Sequence, residues 1–491
     1  MSERIFAAVG FVIALAGCTS LSPRAPSSVV ALNPVVQSLQ GLQEQFVKQP
    51  VTAENCEALL NDVGQAVTAL AWDPYSNEDL KAGGASILNH LWDLRLATHQ
   101  NLPTMSTKCV LQTRSLFHVI REHEDYVGDF VYSAKALDPA KIDFQKQPVP
   151  IFDRSSYAPY LVRQDVDDSK FQFHSGDLML ARGISFFSAI ISQISDNKSE
   201  FSHVVFMNQD ERSGKINTVE SYIGSGVDSY EINFALKNEN ARLLVLRPKD
   251  AALGKVAARD AMISAEKKIG YDYKMDFADY SKMSCVEVVR AAYDRASQGQ
   301  VVVPQNPANI QISSKDFLDK LGMRNGEMIT PDDLEVDPRF DLVLDWRDYR
   351  IIRDSRYKDA ILNEMIRWVN ELRYEFHDTT KSLIAKNILL PSRSTRLWPL
   401  VQKLTGSPNL DPNLPKQTLG VMLVLNQIGE SLLNQVTQAD NDYIAKLGRP
   451  MTNMQLRQTL NKLREEDLAR FKRHQRTSIH YALRPPMSIW R

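Results

Sequence analysis

Three residues of this 491-residue chain have types and surroundings that together support nucleophilic chemistry: Cys285, His203 and Glu220. Cys285 lies in Lys282-Met283-Ser284-Cys285-Val286-Glu287-Val288-Val289, where a polar loop enters an amphipathic helical pattern. In the first turn of a helix a thiol faces backbone N–H groups without acceptors and the positive end of the helix dipole, and both favour its thiolate. The same N–H groups are placed to receive the oxyanion of a tetrahedral intermediate. His203 breaks the alternation of the strand-like run Phe201-Ser202-His203-Val204-Val205-Phe206. An imidazole is the common partner of a cysteine nucleophile because it takes and returns a proton near neutrality. Glu220, in Thr218-Val219-Glu220-Ser221-Tyr222, is able to orient that ring by accepting a hydrogen bond from its second nitrogen. Taken singly each has a plainer reading: a helix-start cysteine packed as a small apolar residue, a structural strand histidine, an exposed strand carboxylate. A turn signal at Ser213-Gly214 separates the two strand-like runs, so a hairpin brings His203 and Glu220 close on one face.

Other chemistries find little support. No glycine-rich phosphate loop, paired-cysteine zinc pattern or Gly-x-Ser-x-Gly elbow occurs, and His123-Glu124 lacks the second histidine of a metalloprotease helix. His118 and Glu122, four apart, read as a solvated ion pair and not as a metal site. No metal or cofactor is therefore expected. With 58 basic and 59 acidic residues the net charge is −1, which gives no whole-chain field for nucleic acid. The basic run from Arg457 to Arg476 reads as a solvated helix face.

The elements that must position the three residues change character along the chain. At ~100 to 200 residues per domain the length suits about three domains. Residues 29–150 carry apolar side chains at three- and four-residue intervals, as in Ile87-Leu88-Leu91-Leu94, and predict a helical region. Within 151–330, short β-type runs at Asp177–Ala181, Ser202–Met207, Thr218–Tyr222, Asp228–Ile232 and Leu243–Leu246 precede helical runs at Lys255–Lys268 and Cys285–Ala296. Strands followed by helices in blocks predict an α+β domain around an antiparallel sheet. Residues 331–491 read as helical again, with a Pro-rich break at Ser407–Pro415. The apolar run Ile184 to Ile191 packs as a short core helix or, where exposed, lines a cleft and favours an acyl chain.

The amino terminus assigns a compartment. Arg4, the apolar run from Ile5 and Leu15-Ala16-Gly17-Cys18 resemble the signal peptide and lipobox of bacterial lipoproteins, with 1–17 removed, Cys18 lipidated and 18–28 a Ser/Pro tether. The apolar stretch is shorter than the ~20 residues of a bilayer crossing. Thr19, where inner-membrane lipoproteins usually have Asp, favours the outer membrane, facing the periplasm. An exported chain is oxidised, which favours pairing among Cys56, Cys109 and Cys285. Cys56 and Cys109 share the helical region and are expected to pair, leaving Cys285 free; three buried reduced thiols are the alternative.

The middle of the chain, Phe171 to Gly299, resembles the YiiX/YebB-like branch of the NlpC papain-like hydrolases. The resemblance rests on Gly176-Asp177-Leu178, Ser202-His203-Val204, Val219-Glu220-Ser221, Tyr271-Asp272 and Ser284-Cys285-Val286-Glu287 in that order. It implies a circularly permuted papain-like sheet with helices, in which His203 and its acid Glu220 precede the nucleophile Cys285. The activity implied is that of a cysteine amidase or peptidase on cell-wall peptide, or of an acyl hydrolase or acyltransferase on lipid, the branch being related to lecithin retinol acyltransferase. Val286 departs from the polar residues frequent at that position. The competing expectation is a non-catalytic envelope scaffold that works through its helical regions.

Overall fold

The computed structural model describes residues 32–133 and 160–486, except 164, 167–170, 197–198, 275–276, 278, 313, 316–317, 320–325, 385–386, 388–394, 396–397 and 400–415. The signal peptide, Cys18, the tether and the Pro-rich break lie outside the described residues. Four helices open it: α1 (Asn33–Lys48), α2 (Cys56–Thr68), α3 (Asn77–Gln100) and α4 (Thr107–Tyr132). Ser76 and Ser106 start the two long ones, each side chain accepting the backbone N–H three residues on, from Asp79 and Cys109. A disulfide joins Cys56 of α2 to Cys109 of α4 across 53 residues, a closure that restricts the unfolded chain by about 4 kcal/mol in the chain-entropy account.

The mixed region follows with β1 (Tyr160–Val162), β2 (Leu178–Gly183), α5 (Phe186–Gln193), β3 (His203–Gln209), β4 (Ile216–Tyr222), β5 (Gly226–Glu231), α6 (Ile232–Leu236), β6 (Asn240–Pro248), α7 (Ala251–Glu266) and α8 (Cys285–Ala296). Beyond it come the paired β7 (Ala308–Asn309) and β8 (Glu327–Met328), then α9 (Pro331–Glu335), β9 (Phe340–Arg347) and α10 (Ile352–Glu371). The chain ends with β10 (Glu375–Phe376), α11 (Thr380–Ile384), α12 (Lys416–Leu447), α13 (Asn453–Lys472) and β11 (Leu483–Arg484), which pairs with β10.

Seven strands form one antiparallel sheet in the order β1-β9-β6-β2-β3-β4-β5, so the architecture is α+β. Its central strands are covered on both faces. Leu178, Leu180, Val204, Phe206, Leu244 and Leu246 enter one core, and Met179, Ala181, Val205, Met207, Leu243 and Val245 enter another. That is why these strands read as continuous apolar runs.

The boundary expected at 330 is corrected by β9, which pairs with β6 from Arg242↔Arg347 to Pro248↔Phe340 and with β1. The sheet therefore extends to Arg347. Asp345 and Arg347 are buried charges within β9, and they obscure the apolar pattern that marks its neighbours.

The N-terminal helices are also not a separate bundle. Leu91, Leu94, Phe117 and Ile120 share one core with Phe206, Leu244, Val286 and Val289 of the sheet and α8. A buried charge network crosses the same boundary. Arg95 pairs with Glu124 at 3.0 Å, Glu335 at 2.7 Å and also Asp345. Arg347 holds Asp125 at 2.7 Å, Asp345 at 2.6 Å and Glu124 at 2.5 Å, while Arg242 reaches Asp125 and Asp359. Arg121 binds Glu200 at 2.5 Å and Asp332 at 3.1 Å, and Asp332 accepts the Glu200 backbone N–H at 3.1 Å. Through these bonds α4 and α9 fix the segment that leads into His203.

His118 and Glu122 do not form the expected solvated pair. The imidazole lies 3.4 Å from Glu122 and 3.2 Å from Glu200, with its side chain only 14% exposed. Burial disfavours its charge, but the two carboxylates outweigh this and push it up to about 9. Among the described residues no group of three or more His, Cys, Asp or Glu is arranged to hold a metal.

The C-terminal helices build a second core, and α5 belongs to it. Phe186 and Ala189 are buried with Ile361, Met365, Val424 and Ile428 of α10 and α12. Gly429 lets the Phe186 ring approach so closely that an added Cβ would stand 2.6 Å from it. Within the run from Ile184, Phe186 and Ala189 are thus core, while Ile184, Phe187, Ile190 and Ile191 are half-buried. An apolar cavity lined by Ile190, Ile194, Leu362, Met365, Val369 and Leu425 lies in this core, and none of its lining residues is Cys285, His203 or Glu220.

Candidate active site

His203 and Glu220 are placed by one hairpin. β3 and β4 pair from Phe206↔Val219 to Gln209↔Ile216, and the turn between them is closed by Asp210, whose carboxylate accepts the N–H groups of Arg212 and Ser213 at 3.1 and 2.7 Å. Gly214 takes a φ of +69°, a conformation that glycine adopts without penalty. His203 begins β3 opposite Ala181, whose carbonyl accepts the Ser202 N–H at 2.8 Å.

Cys285 is the first residue of α8. The Ser284 backbone N–H donates to the Glu287 carboxylate at 2.6 Å, which fixes the start of the helix. The loop before it is tied down on two sides: the Ser221 hydroxyl of β4 donates to the Met283 carbonyl at 2.6 Å, and the Met283 N–H donates to the Gly270 carbonyl at 2.9 Å. Gly226 of β5, at φ +71°, lets this segment close on the sheet, because a Cβ there would collide with the Ile269 carbonyl.

These elements bring all three residues together. His203 Nε2 lies 2.9 Å from Glu220 Oε2, and Cys285 is near enough to the imidazole to act on its proton affinity. With Nε2 taken by the carboxylate, Nδ1 is the nitrogen left for the thiol. Glu220 is fully buried, whereas the His203 side chain keeps 18% exposure and Cys285 is half-buried, so the reacting end of the array is open to a substrate. Burial opposes a charged His203, yet the neighbouring Cys285 and Glu220 push it up to about 10. Cys285 is a free thiol.

Sequence reasoning missed the residues that surround the carboxylate. Thr218 donates its hydroxyl to Glu220 Oε1 at 2.7 Å, and Tyr222 donates to Oε2 at 2.6 Å. Thr218, Glu220 and Tyr222 are spaced by two along β4 and so project to one face, a signal the sequence does carry. Tyr271 feels the same thiol: burial, then the neighbouring Cys285 and Glu287, raise its phenol well above the ordinary value.

No family model matches the chain, and no curated protein matches it. A solved structure of YiiX from Escherichia coli O157:H7, described as a metalloprotein, is similar over 35% of this chain and 97% of its own, with 18% identity and a TM-score of 0.28. A likeness of that size is weak.

Proposed function

We infer that Cys285, His203 and Glu220 form the triad of a cysteine hydrolase acting on an amide or ester bond. The observation that carries this reading is the His203 imidazole held at 2.9 Å by a fully buried carboxylate and standing near a free, half-buried thiol. His203 draws the proton from Cys285, and the thiolate attacks the substrate carbonyl carbon. The oxyanion meets the backbone N–H groups of the first turn of α8. As the tetrahedral intermediate collapses, the C–N or C–O bond breaks and His203 gives its proton to the departing amine or alkoxide, leaving a thioester on Cys285. Water, deprotonated by His203, then attacks the thioester and releases the acid; an acceptor alcohol or amine in place of water makes the reaction an acyl transfer. Glu220 orients the ring and supports its charge.

The order His, Glu, Cys along the chain and an antiparallel sheet meeting the cysteine helix fit a permuted papain-like hydrolase, and the triad is a matter of geometry and not of chain order. Phe186 and Ala189 of α5 are buried in the second core, so these two residues of the apolar run before His203 give no preference for an acyl chain. Cell-wall peptides and lipid esters are the two substrate classes. Incubating the purified protein with each, and with its Cys285→Ala form as control, tests the assignment by the products: a new amine from peptide or a free fatty acid from lipid, in either case lost with Cys285. Turnover by the alanine form equal to that of the parent overturns it.

The setting proposed for this activity is the bacterial envelope, with the chain anchored by lipid on Cys18 at the outer membrane and facing the periplasm. Among the described residues no helix is long and apolar enough to cross a membrane. Intact-mass analysis of protein extracted from membranes is expected to show an acylated chain beginning at Cys18. An unmodified chain retaining Met1 would contradict the anchor.

A pH dependence follows from His203. Because its charged form is the one stabilised in the folded protein, proton return to the leaving group is available below about pH 10 and is lost as pH rises through that value. The alkaline limb of kcat/KM is expected near pH 10, well above the ordinary histidine value of about 6.5.

A further inference from the structure

The geometry points to Tyr222 as a positioning residue that sets the basicity of His203 by two separable means, its ring and its hydroxyl, an inference that rests on the triad reading above. The ring stacks on the imidazole at 4.7 Å between centroids and 24° between planes. It is held there edge-on by Tyr230 at 5.9 Å and Phe234 at 6.0 Å, which stack on each other at 4.3 Å. The hydroxyl donates to Glu220 Oε2 at 2.6 Å, the same oxygen that binds His203 Nε2 at 2.9 Å. It in turn accepts from Asn238 Nδ2 at 3.0 Å, which fixes the direction of its proton toward the carboxylate.

The two contacts act on His203 in opposite senses. The negative face of a stacked aromatic ring attracts a cation laid against it, and this attraction opposes the burial that disfavours the charge. The ring therefore favours the imidazolium. The hydroxyl competes with His203 for one carboxylate oxygen and shares its charge, which holds the imidazolium acidic enough to return its proton. Burial and the neighbouring Glu220 charge push the Tyr222 phenol far up, so it stays a donor at any working pH. The other titratable groups facing the pair are Cys285 from α8 and Tyr230 from β5, with Tyr271 near Cys285. None of these makes both contacts.

Two variants of the full chain separate the effects. Tyr222→Phe keeps the ring and removes the hydroxyl, and Tyr222→Leu removes both. The readouts are the NMR titration midpoint of His203, assigned by its disappearance in His203→Gln, and the rate at which iodoacetamide alkylates Cys285 at pH 6. Tyr222→Phe is expected to raise the His203 midpoint above that of the parent. Tyr222→Leu is expected to lower it toward the ordinary range and to slow alkylation by about tenfold, the equivalent of one pKa unit. A midpoint unmoved in the phenylalanine variant overturns the role of the hydroxyl, and a leucine variant with parental midpoint and rate overturns that of the ring. If His203 in the parent protein itself titrates in the ordinary range, it is the triad reading that fails.

Discussion

A Cys285→Ala protein is expected to fold and melt as the parent does and to lose turnover by on the order of 10^4- to 10^6-fold. The thiol is half-buried at the start of α8, so its removal leaves no large cavity, whereas no other group beside His203 is able to form the covalent intermediate. His203→Ala is expected to cost nearly as much. The double variant is expected to be no worse than either single one, because nucleophile and base act as a unit. Glu220→Gln is expected to leave partial activity, since an amide still fills the position between Thr218 and His203. Steady-state kinetics on the substrate found to be turned over, together with calorimetric melting of each variant, check the series.

The second large effect is on stability. Arg95→Ala is expected to destabilise the chain by about 3 to 5 kcal/mol, the cost of leaving a buried ionic cluster without one of its cations. Arg95 of α3 is fully buried, and its guanidinium serves Glu124 of α4, Glu335 of α9 and Asp345 of β9 at once. Without it three carboxylates face one another with Arg121 and Arg347 as the remaining partners. Denaturant unfolding at neutral pH measures the loss. A surface exchange such as Lys462→Ala, on the exposed face of α13, is expected to shift stability by no more than about 0.5 kcal/mol. Because the network also holds the Ser199–Ser202 segment through Glu200 and Asp332, Arg121→Ala is expected to lower both stability and the reactivity of Cys285.

The contrast between these two groups of residues shows what the sequence makes legible. Strands β2, β3 and β6 stand out because a sheet buried on both faces needs apolar residues at successive positions, β4 and β5 because turn signals bound them, and α8 because its polar entry and amphipathic pattern mark a start. The meeting of His203 and Glu220 follows from two strand patterns and a turn signal between them. The placement of Cys285 against them does not follow from any local pattern, since Met283 is held by Ser221 and by Gly270, partners far from it in the chain. The network is hidden for a different reason. Arg95 lies between Leu94 and Leu96, and all three are buried, so periodicity assigns the arginine to solvent when its partners are up to 250 residues away. The same partners turn three expected domains into helices and strands that share cores, and they explain why β9 reads as part of a helical tail.

The central claim is that Cys285 is a nucleophile activated by His203, and an activated ester tests it whatever the natural substrate is. Mixing the protein with 4-nitrophenyl acetate and following nitrophenolate release is expected to give a rapid burst equal to the protein present. Peptide mapping of the quenched sample is expected to place the acetyl group on Cys285, and the His203→Ala protein to lose the burst. Release at the same slow rate from parent, Cys285→Ala and His203→Ala proteins, with no acetyl group on Cys285, would contradict the account.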